Sequence, residues 1–141
     1  MADANDVVDE TEEWAKENIP DAALLFYRIH RHDLQDGKPK PGAFRNMPKS
    51  DPGSGMSTNW AKYSTPEETR HGARQPPEEY AVLQLEVGAI RQIPDQIVDH
   101  TPNRITGNRS HTDVFGDKST EVRLKMMNIY TVLLYPAEPQ I

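Results

Sequence analysis

Tyr80-Ala81-Val82-Leu83-Gln84-Leu85-Glu86-Val87 carries the cleanest alternation in this chain. Leu83, Leu85 and Val87 fall on one side of an extended backbone, with Val82, Gln84 and Glu86 on the other. One mostly apolar side and one mostly polar side predict a strand whose sheet covers a core with one face. We expect Leu83, Leu85 and Val87 to face the main core, with Phe26 or Tyr27 packed nearby. Upstream, Ala23-Leu-Leu-Phe-Tyr-Arg-Ile-His30 reads as a second strand. Alternation puts Leu24, Phe26, Arg28, His30 and His32 on one of its faces, and Leu25, Tyr27, Ile29 and Arg31 on the other.

Downstream, 96–100 and 110–115 read as two short strands, and Ile129-Tyr-Thr-Val-Leu-Leu-Tyr135 as the last. A continuous helix over 119–134 competes for that end, because Val122, Met126, Tyr130 and Leu133 keep a helical spacing. Ser64-Thr-Pro-Glu-Glu68 starts a helix with Pro66 at the first helical position, and Ser119 caps another that runs to about Met127. Gly88–Gln92 is a turn or a single helical turn. Residues 36–55 hold four prolines and four glycines in twenty positions, which predicts a long loop without a regular element. The sum is an α+β domain: about five short strands in a mainly antiparallel sheet, two or three short helices and long Pro/Gly-rich loops.

The chain has 141 residues, the size of one ordinary domain, and a mean hydropathy of −0.78, which implies a small core. No run approaches the 18 apolar residues of a membrane span, no secretory signal is visible, and with no cysteine there is no disulfide frame or thiolate. A cytoplasmic location is expected. Residues 1–20 hold seven acids against Lys16, so they account for the whole net charge of −6 and the rest of the chain is neutral. We therefore divide the chain into an acidic leader, 1–20, and one domain, 21–141. Residues 5–18 can form a short amphipathic helix that Trp14 docks onto the body; the alternative is a disordered acidic tail. On charge alone, a chain starting at Pro20 is expected to stay folded. Residues 28–74 are only mildly basic, nine Lys/Arg against five acids, so nucleic acid is not the expected partner.

Three stretches carry residues suited to chemistry. Arg28-x-His30-x-His32 shares one strand face, where a guanidinium suits a phosphate or carboxylate and imidazoles suit proton transfer; the competing reading is a solvated strand end. His111 and Asp113 alternate onto one face, and His100 closes a neighbouring strand. The pattern does not match the two-histidine phosphoesterases, which need His-x-Ser/Thr twice, because Pro102 and Asp113 stand two after these histidines. Gly55-Met-Ser57-Thr58-Asn-Trp60 puts hydroxyls and an aromatic after a glycine, suited to clasping a ligand; Trp60 could equally fill the core. His30, His32, His100, His111 and Asp113 are enough ligands for a metal, but their spacing fits no familiar signature, so no metal or cofactor is assigned.

Phe26-Tyr-Arg-Ile-His30, Gly55-Met-Ser-Thr-Asn-Trp60, Lys62-Tyr63, Thr65-Pro66-Glu67, Tyr80–Leu85, Val98–Pro102 and Asn108–Val114 with Gly116 together resemble a family of small uncharacterised bacterial proteins. The resemblance covers roughly 24–128, omits the leader, and implies one intact bacterial domain without a mechanism.

Two functions of different class follow. The first is a small enzyme or sensor that binds a phosphate-bearing, nucleotide-like metabolite. There Arg28, Ser57, Thr58, Trp60 and His100 would hold the ligand, and His30 and His111 would move protons. The second is a non-catalytic interaction, immunity or accessory module that meets a protein partner through the acidic leader or the 36–55 loop. If Arg28, His30, Ser57, His100 and His111 gather around one cleft, the first is favoured.

Overall fold

A computed structural model describes residues 13–48, 54–73 and 76–138. The chain forms β1 (Leu24–His30), β2 (Leu34–Gln35), β3 (Lys38–Pro39), β4 (Met56–Trp60), α1 (Pro66–His71), β5 (Tyr80–Glu86), α2 (Val87–Arg91), β6 (Ile97–His100), β7 (His111–Phe115), α3 (Thr120–Met126) and β8 (Tyr130–Leu134). Six strands make one sheet in the order β6-β7-β4-β1-β5-β8, with every neighbouring pair antiparallel. The fold is α+β, with one strand more than expected in its main sheet. The addition is β4, whose outward residues Ser57 and Asn59 and inward Thr58 are all polar. Among the described residues, no helix is long and apolar enough to cross a membrane.

One sheet face carries the core. Leu25, Tyr27 and Ile29 of β1, Met56 and Trp60 of β4, Leu83 and Leu85 of β5 and Val114 of β7 pack with Ile90, Val122 and Met126 from the helices, and with Ile19 and Phe44. Leu83, Leu85 and Val87 are fully buried, and Tyr27 is the aromatic that joins them. Phe26 is buried on the opposite face, whose β1 and β5 strands meet α1. We expect Leu85→Ala to cost about 2–5 kcal/mol in urea unfolding, through lost transfer energy and an unfilled cavity. A shift below about 1 kcal/mol would place the core elsewhere.

Both longer helices start on side-chain caps. Thr65 Oγ1 accepts the Glu68 N–H with Pro66 in the first turn, and Ser119 Oγ accepts the Val122 N–H. Met127 caps the end of α3 and Tyr130 begins β8, so the continuous helix over 119–134 does not form.

The 36–55 segment needs a correction. Asp36 and Gly37 both take positive φ, 54° and 77°, the two-residue turn that closes a tight hairpin, and they join β2 to β3. Phe44 is fully buried and stacks on Tyr27 at 6.1 Å between ring centres, and Tyr27 Oη donates to the Ala43 carbonyl at 2.6 Å. Up to residue 48 the stretch is a hairpin and a core plug.

Most of the helix read over 5–18 lies outside the described residues. Trp14 is half-buried. Beyond it, Ile19 joins the core cluster, and the Glu17 carboxylate accepts from Lys62 Nζ at 2.6 Å and from Tyr63 Oη. The last residues before Pro20 are packed onto the sheet.

Candidate functional site

β1 and β4 share only two facing pairs, Leu25 with Trp60 and Phe26 with Asn59. β1 continues for four more residues, β4 turns away, and a cleft of about 820 Å³ opens on the polar side of the sheet. Its floor includes Phe26, Arg28, Ser57 and Asn59; one wall is the end of α1 with Thr69, and the other is the 103–111 turn and strand start. Ser57, Asn59 and His111 reach it by strand periodicity, because Asn59 faces His111 and Ser57 faces Asp113 across the β4–β7 pairing.

The reactive geometry centres on His111. Its Nε2 lies 2.8 Å from Ser57 Oγ, and its Nδ1 lies 2.9 Å from Thr101 Oγ1 and 3.0 Å from the Thr101 carbonyl oxygen. Thr101 Oγ1 donates its only proton to Asp113 Oδ2 at 2.9 Å. Both atoms beside Nδ1 can then only accept, so the network assigns the ring proton to Nδ1. Nε2 is left as an acceptor, and the Ser57 hydroxyl donates to it. A serine hydroxyl aimed at the lone pair of an oriented imidazole is the arrangement that nucleophilic catalysis needs.

Arginines dominate the cleft's charge. Arg28, Arg45 and Arg109 line it against Glu68. Arg45 forks onto Asp33 through Nη1 and Nη2, 3.2 and 3.0 Å, and the hydrogen bonds to that carboxylate make the Arg45 guanidinium hold its proton more firmly than usual. Arg109 stacks 4.1 Å from the centre of the Tyr63 ring. Arg28 differs. It donates Nη1 to the Thr69 carbonyl at 2.7 Å and lies over Tyr80, but no carboxylate among the described residues pairs with it. Burial pulls its pKa below the usual arginine value, a sign of a cation short of counter-charge. Gly72 makes room for it: φ at Gly72 is −73°, which any residue adopts, but a Cβ there would sit 3.0 Å from Arg28 Nη1.

The structure thus brings Arg28, Ser57 and His111 together, with Thr58 also along the cleft's lining, and separates His30, His100 and Trp60 from them. His30 shares their sheet face but lies four residues beyond Phe26, roughly 13 Å along the strand. There its Nδ1 accepts the His32 N–H, and its ring packs on His32 and Tyr80. The expected His30–His111 pair is corrected: sharing a face does not bring residues together when they occupy different rows of the sheet. His100, Thr58 and Trp60 project to the core side. His100 is buried, and its Nδ1 accepts the Glu17 N–H at 3.0 Å, so Nε2 must donate to the Arg109 carbonyl at 2.7 Å. Trp60 packs edge-on against His100 and Tyr63 in the core, and Thr58 Oγ1 donates to the Thr112 carbonyl. The histidines are split between faces and rows, and among the described residues no three His, Asp or Glu side chains form a metal-holding group. Thr101 and Arg109 were not singled out by sequence reading; they sit in turns whose local pattern carries no chemical signal.

Compared with family models, curated proteins and solved structures, the chain shows no match.

Proposed function

We propose that this chain is a small enzyme acting on a phosphate-bearing, nucleotide-sized metabolite. In this reading Ser57 is the nucleophile, His111 is its general base, and Arg28 is the receptor for the anion. One observation carries the reading: Ser57 Oγ donates to His111 Nε2 at 2.8 Å, in a cleft that also holds a guanidinium paired with no carboxylate among the described residues. The cleft's size lies within the range of small-molecule sites, about 300–1,000 Å³. Its hydroxyl and amide lining, with Ser64, Thr69, Asn59 and Asn108, suits a polar ligand. The resemblance over 24–128 supports a bacterial protein, and a cytoplasmic setting is part of the same proposal.

Two measurements test the two halves. A fluorophosphonate should label the native chain once, on Ser57, and Ser57→Ala should abolish labelling; a native chain left unlabelled would remove the nucleophile. Inorganic phosphate should shift the ring signals of His111, more weakly as salt rises. Arg28→Ala should abolish that shift, and Arg28→Lys should restore it only partly, because the fork of donors is lost. Gly72→Ala should also weaken it, since the added methyl group displaces the guanidinium without straining the backbone. Unchanged phosphate binding in Arg28→Ala would eliminate the anion receptor. The interaction-module reading would then replace this one.

A further inference from the structure

Resting on the Ser57–His111 reading, we infer that Thr101 is a positioning residue that couples the Asp113 carboxylate to the catalytic histidine through its hydroxyl. In the familiar arrangement of such sites, a carboxylate accepts directly from the Nδ1–H of the histidine. Here a hydroxyl stands between them. Thr101 Oγ1 lies 2.9 Å from both His111 Nδ1 and Asp113 Oδ2, and it can serve both only by accepting from one and donating to the other. While Asp113 is ionised it takes the hydroxyl proton, and the oxygen's lone pairs are left to face Nδ1–H. The carboxylate thereby fixes the hydroxyl's direction, the tautomer of the ring and the readiness of Nε2 to take the Ser57 proton. The Thr101 carbonyl at 3.0 Å supports the same tautomer but does not respond to Asp113.

The position of Thr101 makes the relay a built feature. It follows β6 directly, and its N–H donates to the His111 carbonyl at 3.0 Å, so backbone pairing holds it beside the histidine it serves. Asp113 is flanked by Asp99 across the β6–β7 pairing, Ser57 across the β7–β4 pairing, His111 on its own strand, and Lys16, which bonds to Asp99 at 2.9 Å. Burial raises its carboxyl above the ordinary 3.8, and Asp99 adds to the rise; His111, the Thr101 hydroxyl and Lys16 oppose it. A group with a raised folded-state pKa stabilises the fold while protonated and loses that contribution as pH rises through the folded value. Wherever Asp113 is ionised it is therefore a cost to folding, carried at a position where it can orient a base.

The test separates this coupling from plain packing. In the native chain, ring-nitrogen NMR should show His111 protonated on Nδ1 and bare on Nε2. Thr101→Val, which keeps shape and backbone, should slow fluorophosphonate labelling of Ser57 roughly 10- to 100-fold. Thr101→Ser, which restores the hydroxyl, should recover most of that rate. Asp113→Asn should move the acid limb of the labelling rate to lower pH while holding or raising the melting temperature, since it removes a buried charge. The reverse tautomer in the native chain would overturn the relay, whether or not Ser57 is labelled. So would Thr101→Val labelling at the native rate with the native pH profile; in that case labelling itself would still stand for the Ser57–His111 pair. An unlabelled native chain would overturn the pair and the relay together.

Discussion

A chain that starts at Pro20 is expected to lose about 2.5–6 kcal/mol of unfolding free energy, seen as a lower urea midpoint and melting temperature. Two buried interactions supply that figure. Ile19 belongs to the core cluster, and withdrawing a side chain of its size from full burial forfeits about 1.5–3 kcal/mol. The Glu17 N–H is the donor to Nδ1 of the buried His100, and removing it strands an acceptor in the core at about 1–3 kcal/mol. The Glu17–Lys62 ion pair adds little, because its Lys62 end stands about half in solvent. A domain of this kind has about 5–15 kcal/mol in total, so the truncated chain should be marginal at best. A chain beginning at Glu13, the first described residue, retains both interactions and should melt close to the full chain. Equal midpoints for the two truncations would show that Glu17 and Ile19 hold nothing. The charge pattern argues for a dispensable leader because all of the net charge sits there. The packing shows that a segment can be acidic as a whole and still contribute one apolar side chain and one backbone donor to the core.

That contrast marks what the sequence makes legible. β5 and β1 are readable because their inward residues, Leu83, Leu85, Leu25, Tyr27 and Ile29, are large and apolar at a spacing of two. β4 is not, since Ser57, Thr58 and Asn59 are consecutive polar residues and only the register with β7 shows which of them faces the cleft. The Asp36-Gly37 turn was available as a hairpin signal, but the surrounding prolines and glycines obscured it, and Phe44 gave no sign that it would plug the core. The candidate site was legible in its residues and not in its arrangement. Arg28, Ser57 and His111 were named from their chemistry. Their gathering depends on where β1 and β4 part, a property of pairing between segments about thirty residues apart. His30 shows the converse: local alternation gives its face correctly and says nothing of its distance from His111. His100 has the same side chain as His111, yet its place on the core side makes it a clamp for the Glu17 backbone.

Among changes that leave the nucleophile in place, replacing His111 should produce the largest functional effect. His111→Gln keeps a side chain that can accept from Ser57 Oγ, but its amide oxygen is far too weak a base to take the proton. General-base assistance contributes roughly 10²–10⁴-fold, so labelling of Ser57 by a fluorophosphonate should slow by that factor. The fold should tolerate the change, because His111 is only half-buried and its partners Ser57 and Thr101 line or border an open cleft that water can enter. Superimposable circular-dichroism spectra and similar melting temperatures would establish this. His111→Ala goes further, leaving space beside Ser57 into which free imidazole can diffuse. Added imidazole should then restore part of the labelling rate in His111→Ala, and none in Ser57→Ala. Rescue depends on a base acting at one place, and a merely structural histidine offers no route to it. A His111→Gln chain that labels at the native rate would mean that Ser57 reacts unassisted. The 2.8 Å contact would then be an ordinary cross-strand hydrogen bond holding β4 to β7.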